Sequence, residues 1–360
     1  MHRQKMKRTK RNTYLWQLLA TLLLLATPGM FSACSSDDTN ATPATTPDSE
    51  IRFKPSVWQV AEGTRATTYD NATALQNEGS FTCEVYEANS LTPYINQIQV
   101  DWDNSNWVFS DGKHYWPATG SLDFFAYMPK SDNLPSYITN ITYAVNANPA
   151  PEPYFICANL PMTYTSAYTD DESVSHSAEG QTSDLKEFIY ALAVGQNKAG
   201  TGTNQPAAGQ VALTFQHPFA RINLQLAASH PDITINSITF KSLKSGGTCS
   251  FNGSSSTWSS LTPSDKTVDF VMTLKEAESL FNDNTATKQI GPTFLMIPQE
   301  WAGAIEVNAS WNDWGDTPVA HTVSTTIPAI TWLPGYSYTY TFTISTDDLT
   351  VDVTNFTEQW

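Results

Sequence analysis

Short runs of alternating apolar and polar residues follow one another along the chain, separated by clusters of Gly, Pro, Asn and Asp. Those before residue 200 include SFTCEVYEA at 80–88, YINQIQVDW at 94–102, SLDFFAYMP at 121–129, ITYAVNA at 141–147 and EFIYALAVG at 187–195. A second series extends from VALTFQH at 211–217 to YSYTYTFTI at 336–344. Strands of this length and spacing predict an all-β protein of antiparallel β-sandwiches.

The last of these runs shows the pattern most clearly, because Tyr336, Tyr338, Tyr340 and Phe342 share one face of the predicted strand. The intervening Ser and Thr residues share the other face, so we expect one face to be buried. Helical character is expected only in LKEAESLFN at 274–282.

A polar, glycine-bearing stretch, GQNKAGTGTNQPAAGQ at 195–210, interrupts the strand pattern. It predicts a boundary between two β-sandwich domains, at 51–200 and 201–360. Residues 34–50 contain no large apolar side chain after the initial cysteine, which is typical of a flexible tether.

The N-terminus carries six basic residues, the apolar run LWQLLATLLLLA at 15–26, and FSA immediately before Cys34. The apolar run is shorter than the roughly 20 residues that span a bilayer, so residues 1–33 are predicted to be a secretory signal peptide. The sequence around Cys34 resembles a bacterial lipobox, which implies lipidation of Cys34. The alternative is an ordinary export signal whose cysteine is incidental.

Two serines and two aspartates follow Cys34 and resemble the surface-export signal of Bacteroidales lipoproteins. This resemblance implies a lipid-anchored protein on the outer face of the cell outer membrane.

The charge changes when the signal peptide is removed. The whole chain has a formal net charge of −16, and six of its 19 basic residues but none of its 35 acidic ones lie in residues 1–33. The remaining chain therefore carries −22, which repels nucleic acid and anionic membrane surfaces. We expect no nucleic-acid partner.

Three further cysteines, Cys83, Cys157 and Cys249, are an odd number without a CxxC pair. A zinc site or a disulfide framework is therefore not expected, although a bridge between two of them stays open.

Known catalytic signatures are missing from the sequence, including GxSxG, HExxH, the Walker loop and GxGxxG. We therefore expect no enzymatic activity, no metal and no cofactor, with an enzyme of unfamiliar motif as a third hypothesis. His217, beside Pro218 at the end of a strand, is interpreted as structural. DWDNSNWVFSDG at 101–112 begins like a calcium loop but lacks the required glycine and glutamate, so it is interpreted as a turn.

Seven tryptophans are the basis of an alternative hypothesis for the function. Exposed indole rings could form a sugar-stacking platform, whereas most of these residues lie in alternating patterns that favour core packing. The residues concerned are Trp102, Trp107, Trp116, Trp301, Trp311, Trp314 and Trp332. The platform would suit a lipid-anchored cell-surface glycan-binding protein that does not polymerise.

Arginine is rare after Cys34, with only Arg52, Arg65 and Arg221 in that part of the chain. Arg221 lies in a strand pattern, whereas Arg65 stands in the polar stretch GTRATTYDNAT and is expected to be the exposed one. A cut after Arg65 would separate a strand-like segment, IRFKPSVWQV at 51–60, and the lipid from everything downstream.

Taken together, these segments resemble the fimbrillin family of Bacteroidales type V pili. The resemblance covers essentially the whole chain and depends on the order and spacing of several pieces. They are the lipobox, IRF at 51–53, GTRA at 63–66, WVFSDGKHYWPATGSLDFFAYMP at 107–129, LTFQHPFARINLQL at 213–226, FLMIPQ at 294–299, WLPGYSYTYTFTI at 332–344 and VDVTNFTEQW at 351–360.

The resemblance implies two transthyretin-like β-sandwiches, export as a lipoprotein, and removal of the first strand by an arginine-specific protease. It implies cleavage between Arg65 and Ala66 and places the departing strand at Ile51, Phe53, Val57, Trp58 and Val60. Other pilin subunits would be the partners, joined by strand exchange into a fimbrium, with residues 350–360 as the candidate donor strand. Stalk, tip and anchor roles stay open, as does any ligand on a host or bacterial surface.

Overall fold

Strands dominate the chain, as the hydrophobic pattern predicts. The computed structural model describes residues 49–57, 69–145, 151–182, 185–227, 233–253, 255–279, 287–312, 317–344 and 349–359. Up to residue 200 the strands are β1 (Arg52–Val57), β2 (Ser80–Glu87), β3 (Pro93–Trp102), β4 (Trp107–Phe109), β5 (Leu122–Met128), β6 (Ile138–Thr142), β7 (Tyr154–Cys157), β8 (Thr163–Thr165), β9 (Tyr168–Thr169), β10 (Ser175–His176), β11 (Glu179–Gly180) and β12 (Ile189–Gln196).

The remaining strands are β13 (Gln210–Phe215), β14 (Ala220–Leu226), β15 (Thr234–Leu243), β16 (Gly246–Phe251), β17 (Ser256–Thr262), β18 (Val268–Ser279), β19 (Lys288–Met296), β20 (Glu300–Trp301), β21 (Ala304–Trp311), β22 (Val319–Thr326), β23 (Ile330–Thr331), β24 (Tyr336–Ile344) and β25 (Leu349–Gln359). The all-β prediction is confirmed.

Four larger sheets organise these strands. Their orders are β12-β5-β2-β3-β4, β17-β16-β7-β6, β19-β14-β24-β25 and β11-β8-β18-β15-β21-β22. Two-stranded sheets add β1-β13, β10-β9 and β20-β23. The β1-β13 pair is parallel, whereas all the neighbours within the five-stranded sheet are antiparallel.

Buried side chains form three clusters. The first core lies between the five-stranded sheet and the β1-β13 pair. The second core lies between the sheets that contain β14 and β15, and includes Trp301, Trp332 and Tyr340. The third core joins β5 and β12 to β6, β7 and β16. Residues 46–360 form one compact unit, so the domain boundary at residue 200 stays a prediction.

β5 shows why one predicted run lacks alternation. All seven of its residues are buried. Phe124, Ala126 and Met128 face the first core, whereas Phe125 and Tyr127 face the third. A strand with apolar cores on both faces selects a continuous hydrophobic sequence, which is what LDFFAYM provides.

The prediction of a helix at 274–282 is wrong, because β18 continues into this region as far as Ser279. Its partner β15 pairs with it as far as Thr234↔Ser279, past an irregularity between Ile235 and Ser237. The ladder to β15 thus overrides the helical propensity of Lys, Glu and Ala.

The single α-helix in the described residues, α1 (Ala72–Glu78), was not expected. Asn71 caps it by accepting a hydrogen bond from the Ala74 N–H at 2.9 Å. Gly79 ends it in the left-handed region, at φ 80°, where glycine carries no Cβ penalty. A short 3-10 helix also occupies Ser131–Asn133. No helix among the described residues has the length and apolar character needed to cross a bilayer.

Candidate functional site

β1, which contains the described part of the predicted removable strand, lies parallel to β13. The register runs from Arg52↔Gln210 to Val57↔Phe215. Two backbone hydrogen bonds, both 2.9 Å, hold the start of this strand. The Ile51 N–H donates to the His114 carbonyl, and the Arg52 N–H donates to the Gly209 carbonyl. β1 is therefore attached to the first core by a short parallel ladder that joins residues distant in sequence.

Side chains of β1 alternate between core and solvent. Ile51 and Val57 are 3% and 8% exposed and belong to the first core, against which the half-buried Phe53 packs. Arg52 and Lys54 point to solvent. A fully buried apolar side chain contributes roughly 1.5–3 kcal/mol, so burial of these side chains holds β1 in place.

Phe53 contacts three aromatic rings of the first core. Its ring meets Phe109 at a centroid distance of 5.0 Å, Phe81 at 5.7 Å and Phe124 at 6.0 Å, each edge to face. Such aromatic pairs add stabilisation beyond the area they bury. The three partner rings thus form the apolar floor of a groove in which β1 lies.

The backbone attachment of β1 is weaker than that of an interior strand. Among the described strands β13 is its only ladder partner, and Pro55, opposite Leu213, has no N–H to donate. Proline within a sheet is confined to edge strands and bulges. β1 is therefore an edge strand held chiefly by its side chains, and β13 would present unpaired backbone groups without it.

The predicted cleavage site lies outside the described residues. Arg65 and Ala66 fall in residues 58–68, as do Trp58 and Val60 of the predicted departing strand. Cys34, the predicted lipidation site, also falls outside them. Cleavage and lipidation thus stay predictions.

The other two arginines have contrasting positions. Arg221 is 6% exposed, as its strand pattern predicted. Arg52 is exposed, so Arg65 cannot be distinguished from it by exposure alone. The backbone of Arg52 is nevertheless engaged in the β1-β13 ladder, and a protease requires an unpaired, extended backbone at the cut.

Immediately after residues 58–68, the chain is fixed by burial and an ion pair. Tyr69 is completely buried. Asp70 accepts a hydrogen bond from Arg221, with Oδ1 and Nη2 2.6 Å apart. Burial lowers the pKa of Arg221 to about 10, which leaves the guanidinium charged at neutral pH.

This ion pair adjoins two further ionisable side chains. Nη2 of Arg221 lies 3.9 Å from Oε2 of Glu187, and the same Oε2 lies 3.1 Å from Nδ1 of His217. The side chains of Glu187 and His217 are fully buried. His217 thus takes part in a buried contact at the corner between β13 and β14, as expected of a structural residue. We call Asp70, Glu187, His217 and Arg221 together the ion cluster.

The ion cluster was not found from the sequence. His217 and Arg221 are four positions apart, but Asp70 and Glu187 are distant from them in the chain, and the four have no characteristic spacing. The available signal was the presence of Glu187 and Arg221 within strongly apolar runs, where an unpaired charge would be costly to bury.

The tryptophan platform is not supported by the described residues, and core packing is confirmed there. Five of the rings are at most 7% exposed and Trp102 is half-buried, while Trp314 lies outside the described residues. The buried five are Trp107, Trp116, Trp301, Trp311 and Trp332.

The calcium-like segment is a turn, as interpreted from the sequence. Asp103 Oδ1 accepts hydrogen bonds from the N–H groups of Ser105 and Asn106, between β3 and β4. Within the described part of the chain, no three His, Cys, Asp or Glu side chains are grouped as metal ligands would be.

Cys83, Cys157 and Cys249 are all free and buried, so the open question of a bridge among them is answered. Burial raises the pKa of all three thiols, to about 12 for Cys157. They are therefore protonated at neutral pH.

The candidate donor segment forms β25, the edge of a four-stranded sheet. It pairs antiparallel with β24 from Ile344↔Leu349 to Tyr336↔Gln359. An edge strand can leave by breaking one ladder, whereas an interior strand must break two.

Known proteins share this architecture. A family model described as fimbrillin-like matches residues 64–360. A fimbrial protein from Bacteroides vulgatus has a TM-score of 0.53 and 14% identity, over 86% of this chain and 100% of that one. At this identity the likeness shows a common fold.

Other solved structures are more distant. The tip fimbrial protein Mfa3 from Porphyromonas gingivalis has a TM-score of 0.41 at 11% identity, over 86% of this chain and 100% of its own. The fimbrial anchor protein Mfa2 from the same organism has a TM-score of 0.34 at 8% identity, over 86% of this chain and 98% of its own. No curated protein matches. Because the family model covers most of its length, the chain belongs to the fimbrillin-like family.

Proposed function

We propose that the protein is a structural subunit of cell-surface fimbriae that polymerises after losing its first strand. The precursor is exported as a lipoprotein, held in the outer membrane through Cys34. An arginine-specific protease cuts between Arg65 and Ala66, which releases β1 together with the lipid. Another subunit then inserts a strand into the vacated groove.

The geometry of β1 is the observation that supports this proposal. The strand lies on an aromatic floor of Phe81, Phe109 and Phe124, and pairs with β13 alone among the described strands. Its loss would expose apolar surface and an open backbone edge together. A strand with the same alternation can satisfy both, which is the principle of strand addition.

A donor needs an apolar residue at every second position. The C-terminal segment 350–360, TVDVTNFTEQW, meets this need over part of its length, with Val351 and Val353 at alternate positions and Phe356 out of that phase, and is our candidate. Within its own subunit this segment is an edge strand, so one ladder would have to open before it could be donated.

The alternative, a glycan-binding protein that does not polymerise, loses its main support because five of the seven tryptophans are buried. The fimbrillin-like family is one of structural proteins, in agreement with the absence of known catalytic signatures from the sequence. We therefore assign no enzymatic step to this chain.

The test is treatment of the detergent-extracted lipoprotein with an arginine-specific protease. We expect a product that begins at Ala66, followed by polymers visible by electron microscopy. Arg65→Lys should block both, while Arg52→Lys, the matched control, should block neither. A wild-type protein that is not cut at Arg65, or that is cut and stays monomeric, would refute the proposal.

A further inference from the structure

β22 is the outer strand of the six-stranded sheet and lies near β25 of the neighbouring sheet without pairing with it. β22 has β21 as its only ladder partner among the strands that the structure describes. All eight of its residues pair with β21 without a register shift, from Ala304↔Thr326 to Trp311↔Val319. Along the opposite side, alternate residues direct their backbone N–H and C=O groups away from the sheet.

Most other edges of the described sheets are short or interrupted. β4 has three residues and β11 has two. β6 and β17 contain Asn140 and Ser260 in the left-handed region, which distorts their ladders. β19 contains Gly291, also with positive φ, followed by Pro292, which has no N–H to donate. These are recognised ways of preventing an edge from pairing.

The two remaining long edges are also protected. β12 exchanges backbone hydrogen bonds with the end of β13, between Tyr190 and Gln216 at 2.8 and 3.2 Å. β25 has a register shift, and its sequence includes Asp352 and Glu358. β22 is thus the longest regular edge without such a feature in the described residues.

A second feature of β22 is that neither the strand nor the residues beside it carry a charged side chain. Residues 317–331, TPVAHTVSTTIPAIT, contain no Asp, Glu, Lys or Arg, although the whole chain has 35 acidic and 19 basic residues. Thr322 and Ser324 are exposed on the strand. Charged side chains commonly keep edge strands from pairing, and β22 has none.

We propose that the β22 edge is a lateral contact between two copies of this chain, with the two β22 strands paired antiparallel. Two copies that have lost the signal peptide carry a net charge of −22 each and repel one another over most of their surfaces. A neutral edge is where they can approach. An antiparallel pair of identical strands also satisfies two-fold symmetry, the commonest arrangement in homo-oligomers.

A single contact of this kind is weak. Eight residues span only about 27 Å, and one strand pair buries less than the roughly 1,000 Å² of a stable interface. The lateral function rests on the proposed polymerisation, since a fimbrium repeats the contact along its length and repetition multiplies weak affinities. Monomers should pair only at high concentration, whereas adjacent fimbriae should bundle.

Sedimentation velocity on the uncut, full chain tests the contact itself. We expect wild type to form dimers reversibly at several hundred micromolar, the range of a weak interface. T322K/S324K and T322E/S324E should each raise the dissociation constant about tenfold or more, because like charges then face one another across the pair. The matched control, T257K/S259K, places the same substitutions on exposed positions of β17 and should dimerise like wild type.

A peptide of residues 318–328 gives a second measurement that needs no folded variant. It should suppress dimerisation of wild type, and a scrambled peptide should not. Wild type that stays monomeric, or edge variants that dimerise as well as the control, would overturn the proposal.

The outcome is independent of strand exchange, because Arg65 is intact and β1 in place throughout these measurements. If the protein fails to polymerise after cleavage but dimerises here, only the fimbrial proposal falls. Electron microscopy of the polymers tests the lateral contact within fimbriae. T322K/S324K should give single fibres of normal length where wild type gives bundles. Bundles of that variant would contradict the lateral role.

Discussion

The described chain before residue 58 and the described chain after residue 68 are held by different kinds of interaction. Upstream, β1 is attached by apolar side chains and by a single parallel ladder that includes Pro55. Downstream, Tyr69 is buried and Asp70 binds Arg221 in the ion cluster. One end depends on apolar contact and alternation, the other on charged groups at fixed distances.

The difference matters for what each end can exchange. Apolar contact is non-directional, so any strand of similar alternation can replace β1. The buried guanidinium of Arg221 requires an acidic partner, because removing that partner leaves its charge unpaired in a medium of low dielectric. The upstream end is thus suited to leave and the downstream end to remain.

The largest effect is expected from Arg221→Met, which removes the basic partner of Asp70 and Glu187. An uncompensated buried carboxylate costs about 3–5 kcal/mol, so the urea midpoint should fall strongly. Arg52→Met, at an exposed position, should change the free energy of unfolding by less than about 0.5 kcal/mol. Equal effects of the two variants would show that the downstream end is not held by charge.

A smaller effect is expected from Phe53→Ala on β1. The ring is half-buried, so its loss should cost about 2 kcal/mol in the uncut protein, below the range for fully buried phenylalanine. Lys54→Ala, on the solvent face of the same strand, serves as control. After cleavage both variants should unfold like cut wild type, and a persisting difference would mean that β1 stays bound.

The smallest and most local effect concerns thiol reactivity. Cys83 lies in the first core with β1, whereas Cys157 and Cys249 lie in the third. Burial raises the pKa of all three thiols, so alkylation at pH 8 should be slow in the uncut protein.

Once β1 leaves, the pKa of Cys83 should fall towards its ordinary value and its alkylation should speed up. Mass spectrometry of alkylated peptides distinguishes the sites. Faster labelling of Cys157 and Cys249 as well would mean that cleavage loosens the whole unit rather than the groove under β1.

Local pattern was sufficient for much of the fold. In β24, Tyr338, Tyr340 and Phe342 are buried as the alternation predicts, because this strand has its core on one face. α1 was missed since seven residues are too few for a helical period to show, although Asn71 and Gly79 carry its capping signals.

Long-range features could not be predicted in this way. β1 and β13 are about 160 residues apart in sequence, and nothing in either run specifies a parallel partner. The ion cluster likewise joins Asp70 to Arg221 across 151 positions. The apolar face of β1 was predicted, but the aromatic floor beneath it depends on tertiary packing that only the folded chain reveals.

β5 has a consequence for a protein that is pulled. It is bonded to β2 on one side and to β12 on the other, and both of its faces are covered by packed side chains. To slide it out, a tensile load would have to shear two ladders and strip two cores at once. In an appendage exposed to flow, β5 would therefore be among the last strands to yield, and extension would begin at the chain ends.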